Sequence, residues 1–314
     1  MYLYVSKNHN RLNGKPFAPE EIGERVCLNP KYPAVVKAGR GIKVLLDSGA
    51  FQDRKKQQRL TFSDALTRQL DFEIDHGFES ELIVSYDRLV DEADGTSGRN
   101  KKRVAHSTAT RYVKETVDAA AYLVDHRRDL GERNLVLSCQ GVNSRMYLQC
   151  MDDILEMAEP EDVIGMGGFC IVGQRRRLAS EFFQVLEGAL PRLVKTGIKR
   201  LHFFGVGYFP VLVRANLLCR RAGIVPSYDT SSYEFNGTMG RVFNPLAVSL
   251  NDVLPKADKR KLYHPADLAL MNIRLVQNFW DEVNALPLDK ASLLEGRKVV
   301  PRIRKRQKGK RERS

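Results

Sequence analysis

The chain has 314 residues, 43% of them hydrophobic, with a mean hydropathy of −0.36, which is enough apolar sequence for a large core. No apolar run approaches the roughly 18 residues that cross a membrane, so the sequence predicts no membrane span. The segment MYLYVSKNHN lacks the basic flank and apolar stretch of a signal peptide, so we expect a cytoplasmic protein. The five cysteines form no CxxC or CxC pair, which favours reduced, buried thiols over disulfides or zinc. We also expect no cofactor.

Apolar runs and segments with helical spacing alternate along the chain. The runs that predict buried strands lie at residues 2–5, 43–46, 82–85, 135–138, 163–165, 201–204 and 224–227. The predicted helices lie at residues 61–76, 101–128, 146–158, 177–195, 210–221 and 265–285. This alternation with short joins is typical of βαβ units around a parallel sheet.

Seven strands are close to the eight of a TIM-like (β/α)8 barrel, and we therefore predict an α/β barrel. Residues 246–250 are the candidate for the eighth strand, and an open doubly wound sheet is the alternative fold. We expect one barrel domain over residues 1–296 and a basic tail over residues 297–314.

Positive charge is concentrated in that tail. Residues 297–314 contain ten Lys/Arg and one Glu, which is +9 of the net +13, so the other 296 residues carry only +4. Such a segment cannot bury apolar surface and is expected to be disordered when free. The concentration favours a phosphate-binding arm, which includes Arg302, Arg304, Lys305 and Arg306, over a tail that only aids solubility.

Two long connections, residues 89–100 and 233–251, follow predicted strands and are expected to cover a substrate. The first continues into Lys101, Lys102 and Arg103, which are predicted to meet phosphates. Arg175, Arg176 and Arg177 either grip phosphates or begin a solvated helix, and the sequence favours neither reading.

Five predicted strands end in a polar residue or a glycine: Asp47, Asp87, Gln140, Gly168 and Asp229. Residues just past the carboxyl ends of parallel strands face the mouth of the sheet, where α/β proteins build their sites. The five ends together predict one converging site with carboxylates and backbone donors.

Asp47 and Asp229 are expected to be partly desolvated and to divide labour: one attacks or stabilises a cationic carbon, and the other moves a proton. A single Asp after a strand is more commonly a helix N-cap, but the two together with nearby glycines favour a site. Gly49 permits close approach by a ligand and Phe51 offers a flat face for stacking; the alternative is a tight turn with a core Phe. His202 lies in an apolar run and is predicted to be a satisfied core residue.

Glycines and an amide complete the predicted site. Residues 165–168 could direct backbone amides at a ligand carbonyl, although such a pair of glycines is also a common turn. Gln140 could read the edge of a heterocycle, and a structural turn is equally compatible with it.

In series, these segments resemble the tRNA-guanine transglycosylase superfamily over roughly residues 40–235. DSGAFQ at residues 47–52 is similar to the family's DSGGFQ, CQG at 139–141 to its VQG, GMGGF at 165–169 to its IGGLAVGE segment, and HFFGVGYF at 202–209 to its LMGVG. SYDTSSY at 227–233 occupies the place of the nucleophile strand.

The resemblance implies a role for each matched residue. Asp229 corresponds to the nucleophile that attacks the sugar C1′, and Asp47 to the acid/base that handles the proton of the base. Ser48, Gly49, Asp87, Gln140, Gly167 and Gly168 correspond to positions that recognise guanine or deazaguanine, and Phe51 and Phe204 to residues on its two faces. The implied reaction is base exchange through a covalent glycosyl-enzyme with retained configuration.

Departures from the family indicate the substrate. Members that act on tRNA bind zinc through CxCxxC and a later His, whereas this chain has no cysteine after Cys219. The short chain is more similar to the DpdA-like branch, especially its compact phage members, which exchanges guanine in DNA for a 7-deazaguanine such as preQ0. Extracting a base from the duplex costs roughly a few kcal/mol, which the basic tail and residues 101–103 are expected to help supply.

The alternatives are a tRNA-guanine transglycosylase, a hydrolase of N-glycosidic bonds, and a nucleic-acid-binding barrel without catalysis. The expected partners are DNA, or tRNA in the first alternative, and a free 7-deazaguanine base. The sequence is compatible with a monomer or a homodimer, and with or without a helper protein.

Overall fold

In the computed structural model, the chain forms a closed barrel of parallel strands surrounded by helices, which confirms the predicted (β/α)8 fold. The structure describes residues 1–7, 11–12, 15–16, 19–32, 41–53, 59–90, 104–170, 176–245, 249–252 and 264–291. Strands β1 to β12 span Tyr2–Ser6, Arg11–Leu12, Lys15–Pro16, Arg25–Leu28, Lys43–Leu46, Leu82–Val84, Asn134–Cys139, Val163–Met166, Arg200–Phe203, Val225–Thr230, Arg241–Asn244 and Ser249–Asp252. Helices α1 to α9 span Ala50–Asp53, Phe62–His76, His106–Asp125, Ser144–Leu155, Arg176–Thr196, Phe209–Arg221, Ser232–Thr238, Pro265–Ala285 and Leu288–Ala291.

The barrel closes in the order β1, β10, β9, β8, β7, β6, β5, β4 and back to β1, with every pair parallel. On one side of β1, Tyr4 is in register with Asp229, and on the other side Val5 is in register with Val26. Because all eight strands run in the same direction, their carboxyl ends meet at one mouth.

The eighth barrel strand is β4, Arg25–Leu28, and the prediction of residues 246–250 was wrong. Ser249–Asp252 instead pairs antiparallel with Arg241–Asn244 in a separate two-stranded sheet, and residues 246–248 lie outside the described residues. The connection from β1 to β4 includes a small β2–β3 sheet and the 3-10 helix Pro19–Ile22. The βαβ pattern that indicated the other strands is therefore missing there.

Local capping explains where helix α2 begins and ends. Thr61 accepts a hydrogen bond from the Asp64 N–H and caps the start of α2. Gly77, with φ +66°, ends that helix and donates its N–H to the carbonyls of Glu73 and Ile74, as predicted. The helix predicted over residues 101–128 is shorter, since His106–Asp125 is followed by the 3-10 helix Arg127–Leu130, and residues 101–103 lie outside the described residues.

Two apolar layers hold the barrel. The interior is filled by a compact cluster of Tyr4, Cys27, Leu45, Leu82, Val84, Val136 and Val163, with Phe204 packed against it. A larger core lies between strands and helices, where Trp280 donates its indole N–H to the Tyr228 hydroxyl at 2.8 Å. The barrel is therefore a packed support for its mouth rather than a pore.

All five cysteines carry free thiols; Cys27, Cys139, Cys150 and Cys219 are buried, whereas Cys170 is exposed. Among the helices that the structure describes, none combines the length and apolar content needed to cross a bilayer.

Candidate active site

Strand β10 presents Asp229 to the mouth through simple alternation. Tyr228 is fully buried on the helix-facing side, whereas Ser227 and Asp229 are on the opposite face and remain partly accessible. About a seventh of the Asp229 side chain is exposed, at 15%, so a ligand in the mouth can reach its carboxylate. Asp229 lies inside the strand rather than after it, one residue before the last.

Three hydrogen-bond donors from the two neighbouring strands, β1 and β9 with the turn that follows it, surround Asp229. Its Oδ1 accepts the Gly205 N–H at 2.8 Å and the His202 Nε2–H at 3.3 Å, and its Oδ2 accepts the Ser6 hydroxyl at 2.8 Å. Ser227 lies 2.9 Å from His202 Nδ1, so its hydroxyl can donate to that nitrogen and leave Nε2 as the donor to Asp229.

These donors keep Asp229 ionised. Burial is the largest single influence and acts to raise the pKa, but the hydrogen bond and electrostatic attraction of His202, the Gly205 N–H and the Ser6 hydroxyl together outweigh it. The net pKa of Asp229 lies below its usual value. At neutral pH, Asp229 is therefore a carboxylate that can act as a nucleophile.

Asp47 has the opposite character. It follows β5, where Asn29 Nδ2 donates to its Oδ2 at 2.6 Å and the Gly49 N–H also donates to its carboxyl group. Burial, followed by the negative charges of Asp229 and Asp87, raises the pKa of Asp47 to about 7. Asp47 is therefore close to half protonated at neutral pH and can both give and take a proton.

The pair thus has the properties expected of an acid/base and a nucleophile in one site. Two carboxyl groups whose environments push their pKa values apart divide the chemical roles in many enzymes. Asp229 and Asp87 are close enough to Asp47 for their charges to affect its pKa, so the three predicted strand-end carboxylates lie near one another.

Asp87 and Gln140 form a second pair at the mouth. Gln140 Nε2 donates to Asp87 Oδ2 at 2.6 Å, and burial raises the pKa of Asp87 against the effect of that bond. Gln140 Oε1 is buried and has no hydrogen-bond partner among the described residues. A buried acceptor of this kind is normally paired, so it offers a place for an N–H group of a ligand.

The glycine segment after β8 makes room for this pair. A side chain at Gly167 would collide with the Gln140 amide, and Gly168 adopts φ +82° beside it. The Gly167 N–H donates to the Cys139 carbonyl at 3.3 Å, so the interpretation that its amide faces a ligand is corrected. Gly167 contributes to the site by leaving room for the Gln140 side chain.

A buried carboxylate, Asp53, ties the DSGAFQ segment to neighbouring parts of the chain through hydrogen bonds and ion pairs. Asp53 accepts from Arg68 Nη1 at 2.8 Å, from Lys31 Nζ at 2.9 Å and from the Tyr86 hydroxyl at 3.1 Å. Arg68 also donates to the Ser48 carbonyl and occupies the space that a side chain at Gly49 would need. The close approach that Gly49 permits is made by Arg68 in this structure, and approach of a ligand to Gly49 stays a prediction.

Ser48 and the two predicted stacking residues are placed as follows. Ser48 is buried, and its hydroxyl accepts the Ala50 N–H at 3.4 Å. Phe51 lies on α1 and is 38% exposed, whereas Phe204 is partly buried with its ring centroid 4.7 Å from that of His202. A side chain at Gly165 would collide with the Phe204 ring. Contact of these residues with a base stays a prediction.

Most of the predicted phosphate-binding residues lie outside the described residues: Lys101, Lys102, Arg103, Arg175, Arg302, Arg304, Lys305 and Arg306. Arg176 and Arg177 begin α5, and their side chains are also outside the described part.

Sequence reasoning missed several residues that hold the two carboxylates. His202 is buried with both ring nitrogens bonded, as predicted, but one of its partners is Asp229, which makes it part of the site. Ser6, Asn29 and Gly205 were also missed as partners of Asp229 and Asp47. Ser6 carried a usable signal, since it follows the predicted strand 2–5 in the same way that Asp47 follows its strand.

No protein-family model and no curated protein matches the chain. Among solved structures, the chain is similar to a tri-modular GH5 (subfamily 4) endo-beta-1,4-glucanase from Bacillus licheniformis, with 11% sequence identity and a TM-score of 0.41. The match covers 87% of this chain and 59% of the glucanase chain, so this chain spans less than two thirds of that protein.

Proposed function

We propose that this protein exchanges guanine in DNA for a 7-deazaguanine, such as preQ0, through a covalent aspartyl-glycosyl intermediate. The observation that carries the proposal is the pair of mouth carboxylates, of which Asp229 is held ionised and Asp47 close to half protonated. The resemblance of residues 47–52 and the later motifs to the transglycosylase superfamily supports the assignment of the substrate.

In the first displacement, a carboxylate oxygen of Asp229 attacks C1′ and the bond from C1′ to guanine N9 breaks. The transition state is oxocarbenium-like, and the negative charge of Asp229 stabilises it. Asp47 gives its proton to the leaving guanine. The products are a neutral guanine, a deprotonated Asp47 and an ester between Asp229 and the sugar.

In the second displacement, Asp47 takes the N9 proton of the incoming 7-deazaguanine. The nitrogen attacks C1′, the ester bond breaks, and Asp229 returns as a carboxylate. Atoms and charge balance over the two steps, so no metal or redox group is required. The configuration at C1′ is retained because it inverts twice.

Base recognition is assigned to the second pair at the mouth. The unpartnered Gln140 Oε1 accepts an N–H of the base, and Asp87 lies next to it through the Gln140 amide. Guanine and 7-deazaguanines share their amino and N1 donors, so one arrangement serves both the leaving and the incoming base.

DNA is proposed as the substrate because the chain lacks the cysteines that accompany tRNA recognition in the resembling family. The basic residues 297–314 fit a polyanionic partner of either type.

The test is a base-exchange assay with matched duplex DNA and tRNA that contain labelled guanine, each with and without preQ0. We expect preQ0-dependent release of label from DNA and a deazaguanine nucleoside in the digested DNA by mass spectrometry. Release from tRNA alone would overturn the choice of DNA. Abasic sites that form without preQ0 incorporation would identify a hydrolase, and no release from either substrate would contradict catalysis on guanine.

A further inference from the structure

Among the described residues, three arginines on the rim of the mouth share one carboxylate. Arg59, Arg88 and Arg111 all approach the single carboxylate of Glu115, at 3.7, 3.8 and 3.7 Å. Arg88 and Arg111 also lie against the ring of Tyr112, with 4.2 and 5.4 Å from each guanidinium carbon to the ring centroid. We call these five residues the rim cluster.

The rim cluster adjoins the proposed base-recognition pair. Arg59 donates to the backbone carbonyl of Asp87 at 2.6 Å, and Arg88 is the next residue along the chain. The Arg88 backbone N–H is fixed by the Thr116 hydroxyl at 3.0 Å. Arg111, Tyr112 and Glu115 project from the first half of α3, so the cluster flanks the side of the mouth where Asp87 lies.

Arginines near the other end of the barrel are balanced differently. Arg133, just before β7, has Glu73 at 2.6 Å and Glu79 at 3.2 Å. Arg127 has Asp162 at 2.6 Å and Glu159 at 3.4 Å. In those places one guanidinium has two carboxylates within ion-pair distance, whereas among the described residues the three guanidiniums of the rim cluster have only Glu115 within that distance.

The excess of positive charge affects other groups within the cluster. The main cause that lowers the pKa of the Tyr112 hydroxyl is its hydrogen bond from Arg88, with smaller contributions from Arg111. Arg59 Nε is buried without a partner among the described residues. Three like charges held within reach of one carboxylate repel one another, and an added anion would relieve that repulsion.

We infer that the rim cluster binds a backbone phosphodiester of the nucleic-acid strand whose base enters the mouth. This inference rests on the proposed function for its ligand, and on the geometry above for its position. Guanidinium groups match phosphate oxygens with two parallel hydrogen bonds, which suits several arginines on a rigid rim. Glu115 holds the arginines in place in the free protein and competes with the phosphate for them.

The test measures binding of a single-stranded DNA 20-mer, and of the matching RNA, across a series of salt concentrations with the full chain. In Arg111→Gln we expect the slope of log affinity against log salt to fall by about 0.7, and the affinity to fall on the order of fivefold near 0.1 M salt. Arg111 is 69% exposed, so this variant keeps the fold. Lys114→Gln is the matched control, because Lys114 is on the same helix, is 75% exposed and is already paired with Asp118.

Glu115→Gln separates a phosphate site from a purely structural cluster. If the cluster binds phosphate, removal of the competing carboxylate raises the affinity and steepens the salt slope. If Glu115 only neutralises the arginines for folding, the variant loses thermal stability and its affinity does not rise.

The inference is overturned if Arg111→Gln and Lys114→Gln have the same salt slope, or if Glu115→Gln does not bind more tightly. If Arg111→Gln binds nucleic acid more weakly but the wild type shows no base exchange, the phosphate site is retained and the proposed function is rejected. If the wild type exchanges bases but Arg111→Gln binds as tightly as the wild type, the proposed function is retained and the phosphate site is rejected. An effect on RNA without one on DNA assigns the phosphodiester to RNA and overturns DNA as the strand.

Discussion

At the scale of single residues, two aspartates of identical chemistry acquire different roles from their neighbours. Asp229 has His202, Ser6 and Gly205 as donors, whereas Asp47 has the negative charges of Asp229 and Asp87 beside it. The sequence identified both aspartates because each belongs to a strand end. The strand-end pattern did not identify which of the two would be protonated, since that depends on partners that only the fold brings together, such as Ser6, which is 223 positions from Asp229.

The raised pKa of Asp47 has a consequence for stability. Its pKa is about 7 in the folded protein and 3.8 in the unfolded chain, so the folded state binds the proton more tightly. Protonation of Asp47 therefore contributes to the free energy of unfolding. This contribution is full below pH 4 and is lost as the pH rises towards 7 and beyond.

We therefore predict that Asp47→Asn, which cannot ionise, gains stability over the wild type as the pH rises. At about 1.4 kcal/mol per pKa unit, the gain is about 2–3 kcal/mol larger at pH 8 than at pH 5. Urea unfolding of both proteins at the two pH values measures it. The same stability difference at both values would show that Asp47 does not have a raised pKa.

At the scale of elements, the strands and helices with strong patterns were predicted well, and their ends less so. The helix over residues 265–285 was predicted with the bounds that it has, because His264 and Pro265 mark its start and its apolar face is continuous. Strand β4 was missed because the described part of its connection from β1 contains a small sheet and a 3-10 helix in place of the α-helix of a βαβ unit. Its importance appears only when the barrel closes, since it joins β1 to β5 and carries the chain to Asn29.

The network behind the DSGAFQ segment joins four parts of the chain: α1, α2, the residues after β4 and the residues after β6. Its centre, Asp53, is fully buried and has two cations and a tyrosine hydroxyl as partners. Nothing in the sequence pattern distinguished this aspartate from a surface residue of a short helix. It fixes the loop that carries Asp47 and therefore links stability to the site.

We predict that Asp53→Ala lowers the free energy of unfolding by about 3–5 kcal/mol, because it leaves the Arg68 and Lys31 cations without their buried partner. The matched control is Asp118→Ala, which breaks the exposed pair with Lys114 and costs at most about 1 kcal/mol. Chemical unfolding of the two variants compares them directly. Equal losses would mean that the buried network does not stabilise the segment.

At the scale of the whole molecule, closure of the barrel creates the site. Ser6 near the start of the chain and Asp229 are 223 positions apart, yet they are hydrogen-bonded because β1 and β10 are neighbours. The alternation of strands and helices predicted this architecture, and the strand-end rule predicted that the polar residues would meet. The partners that complete the site come from register across the closed sheet, which a linear pattern does not contain.

The covalent link between Asp229 and the sugar is the central claim of the proposed mechanism, and it can be measured directly. Wild-type protein is incubated with a guanine-containing DNA without an incoming base, denatured, and analysed by intact-protein and peptide mass spectrometry. We predict a DNA adduct on the peptide that contains Asp229, its absence in Asp229→Asn, and its slower formation in Asp47→Asn. An adduct of undiminished yield in Asp229→Asn, or one mapped to another residue, would contradict the mechanism.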